Sequence, residues 1–174
     1  MITIICGTNR KNSKTLAVSG IYKNILAAKN TESCIFSMEQ LPGTFSASHL
    51  DKEKSHAFRE LLEKYILPSR KMIFVIPEYN GSFPGILKTF IDGCPPSAFH
   101  YKKAALTGIS DGRAGNLRGL DHLTSILNHL RVEVLSAKPK ISDIEKELNE
   151  AGNGFHNPEI TKTIERQIDS FLTF

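Results

Sequence analysis

The sequence contains few cysteines and no long apolar span. Its three cysteines, Cys6, Cys34 and Cys94, are far apart and form no Cys-x-x-Cys pair. Such spacing argues against a disulfide framework and a structural zinc site, and it favours a reducing compartment. The N-terminus leads directly into an apolar strand pattern, and no stretch approaches the roughly 20 apolar residues of a membrane helix. We therefore expect a cytoplasmic protein with no signal peptide and no membrane segment.

Runs of like charge are also absent. The net charge is +4, and acidic and basic residues are interspersed along the chain. This mild balance favours anionic small molecules weakly, and the lack of a basic stripe argues against nucleic-acid binding. The six histidines show no metal-ligand spacing, so we expect no metal site.

The apolar residues form short runs that alternate with helical patterns. Five of these runs have the length and composition of buried strands. They predict strands at residues 2–6, 33–37, 72–76, 104–109 and 132–135. Strands that alternate with helices form a parallel sheet covered on both faces through right-handed crossovers. We therefore predict one α/β domain over residues 1–174, a flavodoxin-like three-layer sandwich with five strands in the order 2-1-3-4-5.

The loop after the first strand predicts a phosphate site. Residues 7–15 carry three hydroxyl and three cationic side chains and lead into the N-terminus of a helix. Phosphate monoesters are bound by such donors and by the positive end of the helix dipole. The side chains are those of Thr8, Arg10, Lys11, Ser13, Lys14 and Thr15. The alternative is that Ser13 only caps the helix and that the cations belong to a solvated loop.

Other phosphate-binding motifs do not match this loop. Asn12 and Ser13 interrupt the spacing of a Walker loop, and Asn9 occupies the second glycine position of a dinucleotide-binding motif. Low-molecular-weight tyrosine phosphatases place a cysteine at the end of the first strand and an arginine after five intervening residues. Cys6 fits the cysteine position, but Asn12 occupies that of the arginine. Without that cation a reactive thiolate is disfavoured, and Cys6 is then a buried strand residue.

Residues 77–85 form the most distinctive loop of the sequence. They follow the third predicted strand, and in open α/β sheets ligands bind at this edge. Two prolines and an Asn-Gly pair fix an irregular backbone. The loop offers the polar groups of Glu78, Tyr79, Asn80 and Ser82 and the bare amide of Gly81. The alternative is a connection shaped for turn geometry alone.

A third loop, residues 110–115, follows the fourth predicted strand. Its small residues Ser110, Gly112 and Gly115 would let a flat ligand lie close to the backbone, although a plain strand-to-helix turn is the alternative. The three loops meet at one edge of the predicted sheet. A phosphate cradle beside an aromatic loop and a small-residue loop suits a mononucleotide that carries a flat ring.

The three loops resemble the motifs of the NADPH-dependent FMN reductase family, which includes azobenzene, quinone and chromate reductases. The first family motif, Gly-Ser-x-Arg-x-x-Ser-x-Asn, is matched by residues 7–15 with Thr8 for Ser and Thr15 for Asn. The second, Pro-Glu-Tyr-Asn-x-Ser-x-Pro-Gly-x-Leu-Lys-Asn-x-Ile-Asp, is matched by residues 77–92 with only Thr89 differing. The third, Ser-x-Gly-x-x-Gly, is matched by residues 110–115. The resemblance covers residues 1–135.

The resemblance implies FMN as the cofactor and assigns the residues of its site. The phosphate would be held by Thr8, Arg10, Ser13 and Thr15, with Lys14 adding a backbone amide. The isoalloxazine would be surrounded by Pro77, Glu78, Tyr79, Asn80 and Gly81, and bordered on its other side by Ser110 and Gly112. Ser82 would bond within its own loop, and Glu78 would shape that loop rather than act as an acid or base. No catalytic residue is expected.

The implied activity is that of an FMN-dependent oxidoreductase. A hydride from NADPH or NADH would reach the flavin, which would pass electrons to a small acceptor such as a quinone or an azo compound. The loop at residues 39–52 would help to select that acceptor, and the family implies a homodimer or homotetramer. Two alternatives stay open: an FMN-binding carrier or sensor without turnover, and a phosphatase-like hydrolase that uses Cys6.

Overall fold

The computed structural model describes residues 1–42, 45 and 56–174. Within these ranges the centre of the protein is a parallel β-sheet of six strands. The strands are β1 (Ile2–Cys6), β2 (Ser33–Ser37), β3 (Lys71–Pro77), β4 (Lys103–Ile109), β5 (Glu133–Val134) and β6 (Lys140–Ile141). The order β2-β1-β3-β4-β5 confirms the predicted flavodoxin-like arrangement. Of the loop predicted to select the acceptor, residues 43–44 and 46–52 lie outside the described residues.

Helices cover both faces of the sheet. They are α1 (Lys14–Ala28), α2 (His56–Leu61) with its π-helical continuation (Leu62–Ile66), α3 (Gly85–Gly93), α4 (Leu117–His129), α5 (Ile144–Glu147) and α6 (Pro158–Thr173). Short 3₁₀ turns lie at Met38–Gln40 and Pro96–Ala98. No helix in the described parts of the chain combines the length and the apolar character of a membrane span.

The core lies in two layers, one on each side of the sheet. Along β3, Phe74 packs into the layer that contains α2, α3 and α4, whereas Ile73 and Val75 pack into the layer that contains α1 and α6. Successive side chains of a strand point to opposite faces, so a strand covered on both sides must be apolar throughout. This is why the run that predicts β3 shows no alternation of apolar and polar residues.

The fifth predicted strand is divided into two pieces. Of residues 132–135, only Glu133–Val134 form β5, although the Leu135 N–H still donates to Ala104 O at 2.8 Å. The chain then leaves the sheet and returns as β6, just after Pro139 O accepts the Gly108 N–H at 3.0 Å. Proline has no N–H to give to a neighbouring strand, so an uninterrupted strand through residue 139 would lose a ladder bond.

A side chain from α6 fills the gap between β5 and β6. The Gln167 side-chain amide donates to Leu106 O at 2.9 Å and to Ala137 O at 3.0 Å. Leu106 lies in β4, so this amide takes the place of a strand partner there. The interrupted strand therefore leaves the buried Leu106 carbonyl paired, as buried backbone groups require.

Candidate functional site

A cleft of about 230 Å³ lies at the carboxyl ends of β1, β3 and β4. Residues from all three predicted loops line it, which confirms that the loops meet at one edge of the sheet. The lining residues are Arg10, Lys11, Asn12, Ser13, Lys14, Thr15, Pro77, Glu78, Tyr79, Ile109, Ser110, Asp111, Ile144 and Glu145. Of the thirteen predicted site residues, Thr8, Asn80, Gly81, Ser82 and Gly112 do not line this cleft.

The N-terminus of α1 opens into the cleft. Ser13 is its N-cap, because its Oγ accepts the Leu16 N–H at 3.2 Å, and Ser13 also lines the cleft. The first-turn amides of Lys14 and Thr15 have no partner within the helix. No acidic residue occupies that first turn, so the positive end of the helix dipole is left available to an anion.

Thr8 holds the ring of Tyr79 in place. Thr8 is fully buried, its Oγ1 lies 2.7 Å from the Tyr79 hydroxyl, and it accepts the Arg10 N–H at 3.3 Å. The Arg10 guanidinium lies over the Tyr79 ring, 4.1 Å from its centroid, in a cation–π contact. The first and second loops are therefore joined through one aromatic side chain before any ligand is considered.

The Asn-Gly pair of the second loop makes a tight hairpin. Asn80 and Gly81 have φ values of 51° and 77°, and the backbones of Tyr79 and Ser82 exchange hydrogen bonds of 2.8 and 3.1 Å. Two successive positive φ values are typical of a type I′ turn, for which Asn-Gly is a favoured pair. The turn projects Asn80 to the exterior and keeps Tyr79 in the cleft wall.

The side chain of Ser82 was expected to bond within its own loop, but it bonds to a neighbouring helix instead. Its Oγ lies 2.9 Å from Nδ1 of His122 on α4, and only its backbone pairs with Tyr79. The Asn-Gly turn already satisfies the backbone groups across the hairpin, so the Ser82 hydroxyl points outwards to the adjacent helix. The hairpin is thereby tied to α4.

Asn116, just before α4, fixes the start of the second loop. Its Nδ2 donates to Ile76 O at 3.2 Å and to Pro77 O at 2.9 Å, and its backbone N–H donates to Glu78 Oε2 at 3.1 Å. Glu78 therefore has the structural contact that a loop-shaping role requires. Asn116 is fully buried and has a φ of 61°, a left-handed conformation that asparagine tolerates better than most residues.

Gly119 leaves the space that the Asn116 side chain occupies. A Cβ on Gly119 would lie 2.1 Å from Asn116 Oδ1. Sequence reasoning did not find Asn116, because its partners are 38 to 40 residues away in the chain. The sequence offers one local signal for Asn116, its place after Gly115 at the start of a helix. Asparagine tolerates the left-handed conformation there, but the pattern does not require it.

Ser110 organises the third loop. Its Oγ donates to Gly112 O at 2.6 Å and accepts the Gly115 N–H at 2.9 Å, while the residue also lines the cleft. The loop is bound to β6 and to the helix that follows it, since the Ser110 N–H donates to Ile141 O at 3.0 Å and Ser110 O accepts the Ile144 N–H at 3.1 Å. Gly112 is exposed and contributes its carbonyl to the loop rather than a surface to the cleft.

Ile144 and Glu145 form a wall that the sequence analysis missed. Both lie in α5, and Glu145 Oε2 is 3.2 Å from Nζ of Lys14 at the start of α1. The family resemblance read from the sequence covers residues 1–135 and therefore ends before this helix. Nothing in a local pattern links this short helix to the first loop, because the contact depends on the path of β6.

Cys6 does not have the environment of a nucleophile. The thiol is fully buried, and burial raises the pKa of Cys6, even though Sγ lies 3.9 Å from a backbone acceptor, Thr8 O. A raised pKa disfavours the thiolate on which phosphatase chemistry depends. The surroundings of Cys6 therefore argue against the hydrolase alternative. Among the described residues, no group of three or more His, Cys, Asp or Glu side chains could hold a metal ion.

We expect Cys6 to resist alkylation in the native protein. Iodoacetamide at mildly alkaline pH should modify the half-buried Cys34 first, because Cys6 is both inaccessible and protonated. Peptide mass spectrometry before and after unfolding in guanidinium would show Cys6 reacting only in the unfolded chain. Modification of native Cys6 at the rate of Cys34 would contradict this assignment.

Comparison with known proteins agrees with the resemblance to FMN reductases that the three loops show. The family model for NADPH-dependent FMN reductases matches residues 1–144. A NAD(P)H-dependent FMN reductase of Pseudomonas aeruginosa is 38% identical over 85 residues, which are 47% of this chain and 45% of that protein. The match thus spans less than half the length of that relative.

Two solved structures illustrate the similarity of fold. The flavoenzyme NAD(P)H:(acceptor) oxidoreductase FerB of Paracoccus denitrificans superposes with a TM-score of 0.81 at 22% identity, over 99% of this chain and 94% of its own. An oxidoreductase of Corynebacterium diphtheriae gives a TM-score of 0.74 at 14% identity, over 99% and 94% of the two chains. At these identities the superpositions establish the fold alone. Because the family model extends through all three loops of the cleft and ends at Ile144 in its far wall, the chain belongs to the NADPH-dependent FMN reductase family.

Proposed function

We propose that this protein is an FMN-dependent NAD(P)H oxidoreductase that passes electrons to small acceptors such as quinones or azo compounds. Membership of the FMN reductase family supports the proposal. The observation that carries it is the cleft in which the N-terminus of α1 meets the Tyr79 loop. Residues 1–174 would form one catalytic domain.

The phosphate end of the cleft fits FMN. An uncapped pair of first-turn amides, a helix start without acidic residues and nearby cations are the groups that a phosphate monoester requires. We propose that the phosphate is bound by Arg10, Ser13, Lys14 and Thr15. Thr8 would act indirectly, since its hydroxyl is directed to Tyr79.

The flavin end of the cleft fits a flat ring at one edge of the sheet. Pro77, Glu78 and Tyr79 would form one wall and Ser110 the other. The volume of about 230 Å³ is below the range of about 300–1,000 Å³ that is usual for ligand pockets. The cleft therefore holds only part of FMN, which leaves ring surface open to a nicotinamide and an acceptor. Four predicted site residues lie in the loops beside the cleft rather than in its lining. We propose that they contact the part of FMN that extends beyond the cleft; they are Asn80, Gly81, Ser82 and Gly112.

The protein's own residues bind and orient the cofactor. When bound, FMN supplies the hydride and electron chemistry. Tyr79 is held by Thr8 and Arg10, so that its ring presents a fixed surface to the site. The Glu78 carboxylate accepts the Asn116 N–H and is thereby committed to the loop. Ile109 and Ile144 add apolar lining to the cleft.

We also propose that the protein forms a homodimer or homotetramer in a reducing, cytoplasmic setting. A groove of about 540 Å³ between α3 and α4, with Ile91, Cys94, Ile126 and Leu130 in its lining, supports self-association. The odd number and wide spacing of the cysteines support a reducing compartment.

Visible absorption of the purified protein, recorded after addition of FMN and desalting, tests the proposal. We expect retained flavin bands that bleach when NADPH or NADH is added and recover when a quinone follows. Retained bands that do not bleach with either nicotinamide would instead support the carrier or sensor. A protein that retains no flavin and binds none in titration would contradict the proposal.

A further inference from the structure

We propose that Glu145 weakens the binding of phosphorylated flavins and so narrows the preference of the cleft for FMN over riboflavin. The inference rests on the proposed function, because it concerns the same cleft. It assigns a specificity-determining role to a residue just beyond the end of the family match at residue 144.

The position of Glu145 places a carboxylate at the phosphate end of the cleft. Its Oε2 lies 3.2 Å from Nζ of Lys14, which is the first residue of α1. Both residues line the cleft. Their side chains are 63% and 43% exposed, so the ion pair lies at the mouth of the cleft and a ligand can reach it. The lysine that would help to hold a phosphate is thus already paired with an anion.

The charges that line the cleft balance one another. Three cations, Arg10, Lys11 and Lys14, are matched by three carboxylates, Glu78, Asp111 and Glu145. Two of the remaining charges are engaged elsewhere. The Arg10 guanidinium lies over Tyr79, and the Glu78 carboxylate accepts the Asn116 N–H.

A second observation separates Glu145 from the other two carboxylates. Among the carboxylates that line the cleft, Glu145 forms an ion pair with Lys14 of the phosphate loop, whereas Glu78 accepts the Asn116 N–H. An incoming phosphate must compete with it for Lys14 and also experiences its charge directly. Riboflavin has the same ring and ribityl chain but no phosphate, so neither effect applies to it.

Titration of flavin fluorescence with the protein tests the inference and does not depend on turnover. Dissociation constants for FMN and for riboflavin would be measured for the wild type, Glu145→Gln and Glu147→Gln. Glu147 is a matched control, because it lies in the same helix and its replacement changes the net charge equally, yet it does not line the cleft. An exposed ion pair adds little stability, so Glu145→Gln should fold normally, which circular dichroism would check.

We expect Glu145→Gln to bind FMN about five- to tenfold more tightly at low salt, with a smaller gain at high salt because exposed charges are screened. Its affinity for riboflavin should stay within about twofold of the wild type, and Glu147→Gln should bind both flavins within about twofold of it. An equal gain for both flavins, no gain for FMN, or the same gain in Glu147→Gln would overturn the inference while leaving the proposed function intact. If no protein binds either flavin, the proposed function fails and the inference fails with it.

Discussion

Replacement of Asn116 by aspartate is expected to lower the free energy of unfolding by about 3–5 kcal/mol near pH 7. The Asn116 Nδ2 donates to two carbonyls, Ile76 O and Pro77 O, and the residue is fully buried. Asn116→Asp would direct an acceptor, and at neutral pH a negative charge, towards those two oxygens. A buried charge without a partner carries a large penalty, and the loss of two hydrogen bonds adds to it.

Thermal unfolding followed by circular dichroism would measure this effect. For a chain of this size the loss corresponds to a fall in Tm of about 8–15 °C. Asn24→Asp is the control, because Asn24 is exposed on α1 and should change the free energy of unfolding by less than about 0.5 kcal/mol. If the Tm of Asn116→Asp equalled that of Asn24→Asp, the contacts of the Asn116 side chain would not hold the loop.

The pH dependence of Asn116→Asp supplies a second check. Burial would raise the pKa of the introduced carboxyl above its value in the unfolded chain. A group with a raised folded pKa favours folding below its unfolded pKa and loses that contribution as the pH rises through the folded pKa. The protonated carboxyl can also donate one hydrogen bond, so the deficit against the wild type should be smaller at about pH 4 than at about pH 7. A deficit that grew on acidification would exclude a buried charge as its cause.

The fold and the location of the cleft could be predicted because both are encoded locally. The apolar run at residues 72–76 predicts a strand, and the structure extends it by one residue at each end to Lys71–Pro77. Asn80–Gly81 predicts a tight turn from the φ values that these residues tolerate. The order of the strands then follows from general rules for parallel sheets, which bring the three loops to one edge.

The side chains that hold the loops together could not be predicted in the same way. Asn116 bonds to residues 38 to 40 positions away, and Gln167 bonds to Leu106, which is 61 positions away. Glu145 pairs with Lys14 from the far end of the chain. Local patterns give each residue a face or a turn, but a polar contact between distant elements depends on the final packing. Gln167 left one signal, since it lies between Ile164 and Ile168 on the inward stripe of α6.

Gln167 is the centre of a buried polar network in the core layer that contains α1 and α6. Its Oε1 accepts the Tyr22 hydroxyl at 2.6 Å and the Thr107 hydroxyl at 3.1 Å. Its Nε2 donates to two backbone carbonyls, those of Leu106 and Ala137. Burial raises the pKa of Tyr22, so the phenol keeps the proton that it donates. The network thus joins α1, β4 and α6, and it completes the interrupted edge of the sheet.

Gln167→Met should therefore lower the free energy of unfolding by about 3 kcal/mol, because it leaves the buried Leu106 carbonyl without this donor, removes the bond to the carbonyl of the exposed Ala137 and removes the acceptor of two hydroxyls. Tyr22→Phe should cost only about 1 kcal/mol, since Thr107 can still donate to Gln167. Arg166→Met, an exposed change on the same helix, should cost less than about 0.5 kcal/mol. Urea unfolding of the three variants would measure the order. If Tyr22→Phe cost as much as Gln167→Met, the phenol rather than the amide would carry the network, and the pairing of Leu106 and Ala137 by Gln167 would contribute little to stability.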